Sequence, residues 1–157
     1  MELETTLDQL VAREAIRELK ARYCYHLDYQ EWDALADLYA RDATMDVDQA
    51  VSTRGRAADP RPQVRGRAAI RADVSAVLAQ AETVHQVHSP IIEILSPNRA
   101  KAVWAMEDIV RMPGLYLEGR GHYRETYVVE EGAWRIASLH LTRTWLKVCQ
   151  DDSESAG

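Results

Sequence analysis

Two hydrophobic periodicities divide the chain. Over residues 8–27, Ala12, Ile16, Leu19, Tyr23 and Leu27 recur at steps of three and four and gather one apolar stripe, the signature of an amphipathic helix. Asp8 reads as its start signal. The pattern breaks at Asp28-Tyr29-Gln30, and a second, short helix is predicted with Trp32, Leu35, Leu38 and Tyr39 on its buried side. Ala43 to Val47 alternates like a strand, and Gly66 opens a third helix striped by Ile70, Val74, Val77 and Leu78. Residues 48–65 are a polar connection rich in Arg and Pro, a length that calls for a lid, a binding loop or disorder.

The second half changes period. Four long runs, 83–95, 100–112, 116–130 and 133–147, are divided by Ser96-Pro97-Asn98, Pro113-Gly114 and Glu131-Gly132. Short dividers between long strands mean antiparallel neighbours. Helices followed by a meander give an α+β class, with three helices in the N-terminal half covering one face of a curved, mostly antiparallel sheet. The chain reads as a single domain over 1–157, with its core about 8–147 and a tail at 148–157.

Strand parity then sorts the side chains. In 100–112, Ala102, Trp104, Met106, Asp108 and Val110 share one face, while Lys101, Glu107 and Arg111 take the other. Asp108 therefore points inward, where a carboxylate is costly unless paired or protonated. That leaves a structural aspartate or a functional one, and the apolar face favours the functional reading. His85 and His88 face opposite sides of a strand, so they cannot share a metal. His85, in step with Val87, is the inward one, and Pro90 perturbs the pairing beyond it. In the last strand Leu139, Leu141, Arg143 and Trp145 share a face. Arg143 is either a snorkelling surface residue or the partner of a pocket anion. Spacing alone makes Asp28, at a helix junction, a cap of the second helix. His122 and His140 follow no pattern that raises them above surface residues.

Composition narrows the function. The chain has 157 residues, 46% apolar and 28% charged, as an average globular domain does. A net charge of −6 argues against a nucleic-acid partner. The one basic cluster, Arg54 to Arg67, reads as a solvated loop with some capacity for an anion. No apolar run is long enough to span a bilayer, and the acidic start MELETTLDQL lacks the form of a secretory signal. Both point to a cytoplasmic protein. Cys24 and Cys149 form no CxxC and no zinc spacing. On the outer face of the sheet, Val103, Ile109, Trp134 and Ile136 would leave apolar area exposed, so a homo-oligomer is expected.

Several segments resemble SnoaL-like proteins of the nuclear transport factor 2-like superfamily, a group that includes scytalone dehydratase, bile-acid 7α-dehydratase and lindane dehydrochlorinase. The segments are AIRELKARYCYHLDYQEWDALADLYARDATMDV, TVHQVHSPIIEI, AKAVWAMEDIV, GRGHYRETYVVEEGAWRI and SLHLTRTWL, and the resemblance covers roughly residues 8–147. The resemblance implies a cone-shaped, cystatin-like barrel with a pocket between helices and sheet, no metal, no organic cofactor, and assembly as a trimer or dimer, the trimer favoured. It implies a His–Asp pair for proton abstraction, carried by His85 and Asp28, with Tyr23, Asp108 and Arg143 completing the catalytic set. The 48–65 loop is longer than in many relatives, which leaves the lid and pocket shape open.

On that reading His85 is the base, Asp28 fixes its tautomer, Tyr23 donates to an oxygen and Asp108 remains protonated as a donor or acid. Arg143 pairs with Asp28 or Asp108, or binds a substrate anion. Trp32, Trp104, Met106 and Trp145 are the expected lining for a small hydrophobic or aromatic ligand. The expected activity is that of a lyase of dehydratase or dehydrohalogenase type. An isomerase or polyketide cyclase would use the same pocket, and a non-catalytic binding or assembly module is the competing class.

Overall fold

The computed structural model describes residues 2–53 and 61–150, with side chains from residue 6 onward. Three helices, α1 (Glu2–Asp28), α2 (Trp32–Asp37) and α3 (Arg67–Leu78), accompany six strands. These are β1 (Tyr39–Asp46), β2 (Val64–Arg65), β3 (Glu82–Ser96), β4 (Arg99–Met112), β5 (Leu115–Glu130) and β6 (Ala133–Cys149). One open sheet has the order β2-β1-β6-β5-β4-β3. All neighbours run antiparallel except β1 and β6, which are parallel. The expected barrel is therefore a curled sheet that the helices complete, not a closed cylinder, with β2 and β3 at its edges. Among the described residues no helix is long and apolar enough to cross a membrane.

The N-terminal boundaries shift from those expected. α1 begins at Glu2, so Asp8 lies within it and does not start it. α2 ends at Asp37, Leu38 closes it, and Tyr39 opens β1 instead of extending the helix. Both residues are buried all the same, Tyr39 almost completely. Of the 48–65 connection, Val64 and Arg65 pair with Met45 and Thr44 as β2, and 54–60 lie outside the described residues. Arg54 and Arg56 of the basic cluster fall there. Of the expected tail, β6 takes Val148 and Cys149, and 151–157 also lie outside the described residues.

Irregularities in the sheet decide which side chains enter the core. Each bulge adds one residue and so reverses the inward parity beyond it. In β6, Ile136 pairs with Tyr127 but Ser138 with Thr126, which leaves Ala137 extra. Ile136 is consequently fully buried beside Tyr127, and is not part of the outer face as expected. A second bulge at Thr144 separates Arg143, opposite Gly121, from Trp145, opposite Arg120. In β3, Ser89 with φ 47° and Pro90 face Trp104, and the register shifts between His88 and Ile91. The core between helices and sheet then comprises Ile16, Leu19, Leu27, Met45, Ile70, Tyr127 and Leu139 with their neighbours. Cys24 is buried, Cys149 exposed, and both are free thiols.

Candidate functional site

The site forms where the end of α1 meets the free edge of the sheet. α1 packs along β3, and its last residue, Asp28, reaches three donors on that strand. His85 Nδ1 lies 2.7 Å from Asp28 Oδ1, the His85 backbone N–H donates to Oδ2 at 3.0 Å, and the Thr83 hydroxyl donates to Oδ1 at 2.9 Å. Asp28 does not cap the second helix. The N-cap position there is Glu31, which makes no side-chain capping bond. An edge strand normally leaves N–H groups unpaired, and here one of them holds the carboxylate. Because an ionised carboxylate only accepts, Nδ1 is the donor in this contact, and in the neutral imidazole that tautomer leaves the lone pair on Nε2.

The imidazole is 7% exposed, and its Nε2 points to Asp108, 4.0 Å from Oδ2. That pairing follows from register, since His85 lies directly opposite Asp108 on β4. Arg143 Nη1 and Nη2 donate to Asp108 Oδ1 and Oδ2 at 2.7 and 2.8 Å, and its Nε donates to the Ala50 carbonyl at 2.6 Å. Arg143 is thus a buried partner of Asp108 and not a snorkelling surface residue. Both carboxylate oxygens are engaged, the geometry of a strong bidentate pair, so a role for Asp108 as a neutral donor would require that pair to open. Two glycines make room for it: a Cβ on Gly119 would sit on the Arg143 guanidinium and Asp108, and one on Gly121 would strike the β6 backbone.

Tyr23, on α1, packs edge-on against Tyr39 and Tyr123. Burial pushes the Tyr23 phenol well above its ordinary value, with the charge and hydroxyl of neighbouring groups adding to it. The Tyr123 phenol is raised first by burial and then by the Asp108 charge, against a smaller lowering by Arg143. Both rings therefore offer neutral O–H groups, donors and not bases. Behind them Lys20 is fully buried, its Nζ 3.7 Å from each ring centroid and 2.5 Å from Glu125 Oε1. Tyr127 donates to the other Glu125 oxygen and accepts from Trp104 Nε1 at 2.9 Å.

These groups open on a cavity of about 140 Å³. Its walls include Leu27, Met45, Val74, Val110 and Leu141, and its rim carries Arg61, which pairs with Asp73 at 2.7 Å. Tyr23, His85, Asp108 and Arg143 all line it, and Asp28 stands behind His85. None of the four residues expected as lining does. Trp104 and Met106 face inward but sit further along β4, packed solid in the core. Trp32 packs half-buried against that core. Trp145 is turned outward by the Thr144 bulge, is 42% exposed, and stacks under Arg120. Sequence reasoning missed Thr83 and Tyr123; Thr83 shares inward parity with His85, which it did select, whereas nothing in β5 was selected that would have drawn in Tyr123. A larger depression, about 290 Å³, lies on the outer face around Gln86, Glu107, Arg120 and Trp145, where the outward neighbours of the site residues stand. Elsewhere on that face Asp46, Asp48 and His140 bring potential metal-ligand atoms within 4.8 Å of one another. They are half-exposed and apart from the cavity.

The model of the SnoaL-like domain matches residues 8–140. A protein of Gibberella zeae named "Probable cyclase FGR4" is 24% identical over 140 residues, covering 85% of this chain and 91% of that one. Among solved structures, a proposed scytalone dehydratase from Novosphingobium aromaticivorans superposes with TM-score 0.76 at 23% identity, covering 90% of both chains. The hexachlorocyclohexane dehydrochlorinase LinA-type3 from Novosphingobium barchaimii LL02 superposes with TM-score 0.73 at 16% identity, covering 92% of this chain and 94% of that one. At such identities the structural matches establish the fold.

Proposed function

The chain belongs to the SnoaL-like domain family, and from that premise we propose that it is a lyase of the dehydratase or dehydrohalogenase type that needs no cofactor. The observation that carries the reading is the His85–Asp28 contact of 2.7 Å, with Nε2 free to face a cavity whose other walls are largely apolar. A binding module has no need of an imidazole held by a carboxylate in such a place.

In this reading His85 Nε2 takes a proton from a carbon next to a carbonyl, the electron pair forms the C=C bond, and the leaving group departs. A halide leaves as the anion. A hydroxyl leaves as water after taking back the proton from the imidazolium, so no further acid is required. Asp28 stabilises the imidazolium, as in the orienting arm of a catalytic triad. Tyr23, its phenol held neutral, donates to the carbonyl or leaving-group oxygen. The Asp108–Arg143 pair presents a fixed dipole beside Nε2. A cavity of about 140 Å³ fits a single-ring substrate, being close to the size of an apolar cavity that takes up benzene.

The likeness to a protein named as a cyclase supports a second reading, in which the same proton abstraction leads to ring closure. The test for both is a panel of small hydroxy-carbonyl and halogenated compounds offered to the wild type and to His85→Ala. Elimination products mark the lyase, ring-closed isomers the cyclase. Turnover at the wild-type rate by a folded His85→Ala variant would refute the assignment of the base.

A further inference from the structure

We propose that Thr83 is a positioning residue of this site, acting on His85 through Asp28. Three hydrogen bonds fix the Asp28 carboxylate. Asp28 Oδ2 is tied to the His85 backbone N–H at 3.0 Å, but a single tie leaves the carboxylate free to turn about its Cβ–Cγ bond. Oδ1 is the atom that must meet the imidazole, and it receives two donors, His85 Nδ1 at 2.7 Å and the Thr83 hydroxyl at 2.9 Å. Of these two, only the Thr83 bond is independent of the ring whose orientation is in question.

The fold explains why that residue can do it. Thr83 and His85 are two positions apart on β3, so their side chains leave the same face of the strand. They stand opposite Val110 and Asp108 on β4. The aspartate arrives from the end of α1 over the free edge. A rigid strand thereby supplies all three donors, and the imidazole is set by groups that do not move relative to one another. The Thr83 hydroxyl has no other hydrogen-bond partner among the described residues. A purely packing role would be met equally well by valine.

The catalytic meaning of this inference rests on the lyase reading; its structural content does not, and the experiment separates the two. The test compares Thr83→Val, which keeps the shape and removes the donor, with Thr83→Ser, which keeps the donor. The first readout needs no substrate. In protein labelled with ¹⁵N-histidine, the His85 Nδ1–H proton is observed by NMR and assigned by its loss in His85→Asn. Thr83→Val is expected to speed its exchange with solvent about fivefold or more, as loss of a hydrogen bond to a charged group would, and Thr83→Ser to restore the wild-type rate. The second readout is turnover of any compound the wild type converts. Thr83→Val is expected to lower kcat about tenfold with KM within about twofold. An Nδ1–H exchange rate unchanged in a folded Thr83→Val variant would overturn the inference, even if its melting temperature fell. A changed exchange rate in a protein that eliminates nothing from any compound would uphold Thr83 as the positioning residue and sink the lyase reading instead.

Discussion

Substituting Gly119 by alanine adds a single methyl group in the most crowded part of the site. Gly119 pairs with Asp108 across β4 and β5. Its Cβ would lie 1.9 Å from Arg143 Nη1 and 2.4 Å from Asp108 Oδ1, far inside contact distance. The guanidinium is almost fully buried and also tied to the Ala50 carbonyl, so it can move off the methyl group only towards the cavity and by giving up these bonds. The methyl group must therefore part the pair, and breaking a buried ion pair costs about 3–5 kcal/mol. In a domain of this size each kcal/mol lowers Tm by about 2–4 °C, so the expected fall is roughly 6–20 °C. Thermal unfolding followed by circular dichroism reads it directly. In an Arg143→Met background the same substitution should cost under about 1 kcal/mol, since the pair is already gone. A Gly119→Ala protein melting within about 2 °C of wild type would show that the pair is neither so confined nor so valuable as argued.

Two further outcomes follow from the buried titratable groups. Burial pushes the Cys24 thiol from 9.0 up to about 11. The folded state then keeps a proton that the unfolded state has lost, so the contribution is whole below about pH 9 and disappears as pH climbs towards 11, a span of about 3 kcal/mol. Urea titrations from pH 8 to 11 should show Cys24→Ala losing stability less steeply than wild type over that window, and parallel curves would refute the assignment. Lys20→Met strands the Glu125 carboxylate inside the core and should cost about 3–5 kcal/mol, whereas Lys20→Met with Glu125→Leu should recover at least half of that loss. Equal stability of the single and double variants would contradict the buried-pair account.

How far the sequence discloses this molecule can be judged residue by residue. The four long strands follow from their turn signals, and the inward positions of His85, Asp108 and Arg143 follow from parity within a regular strand. Parity fails wherever a bulge intervenes. Parity puts Trp145 and Ile136 on the opposite faces from those they occupy, because nothing in the local sequence marks Ala137 or Thr144 as an extra residue. The Asp28–His85 contact joins positions far apart in the chain, and spacing alone would have made Asp28 a cap; only resemblance to a family brought the two together. Lys20 lies on the apolar stripe between Ile16 and Tyr23, and Glu125 alternates inward between Tyr123 and Tyr127, so their pairing was legible in principle. It was obscured because charges at such positions ordinarily read as breaks in the pattern. The wall of the cavity was the least accessible feature: it depends on which aromatic side chains pack solid, as Trp104 does, and that is decided by the tertiary arrangement.

The central claim is that His85, held by Asp28, removes a proton from carbon. Incubating the hydroxy-carbonyl and halogenated panel with protein in D₂O and recovering each compound for mass spectrometry tests it before any product needs to be known. The expected result is deuterium at the carbon beside the carbonyl of at least one compound, or elimination from it, with wild type and with neither outcome for a folded His85→Ala protein. Exchange at the wild-type rate without His85, or a wild type that leaves every compound untouched, would contradict it.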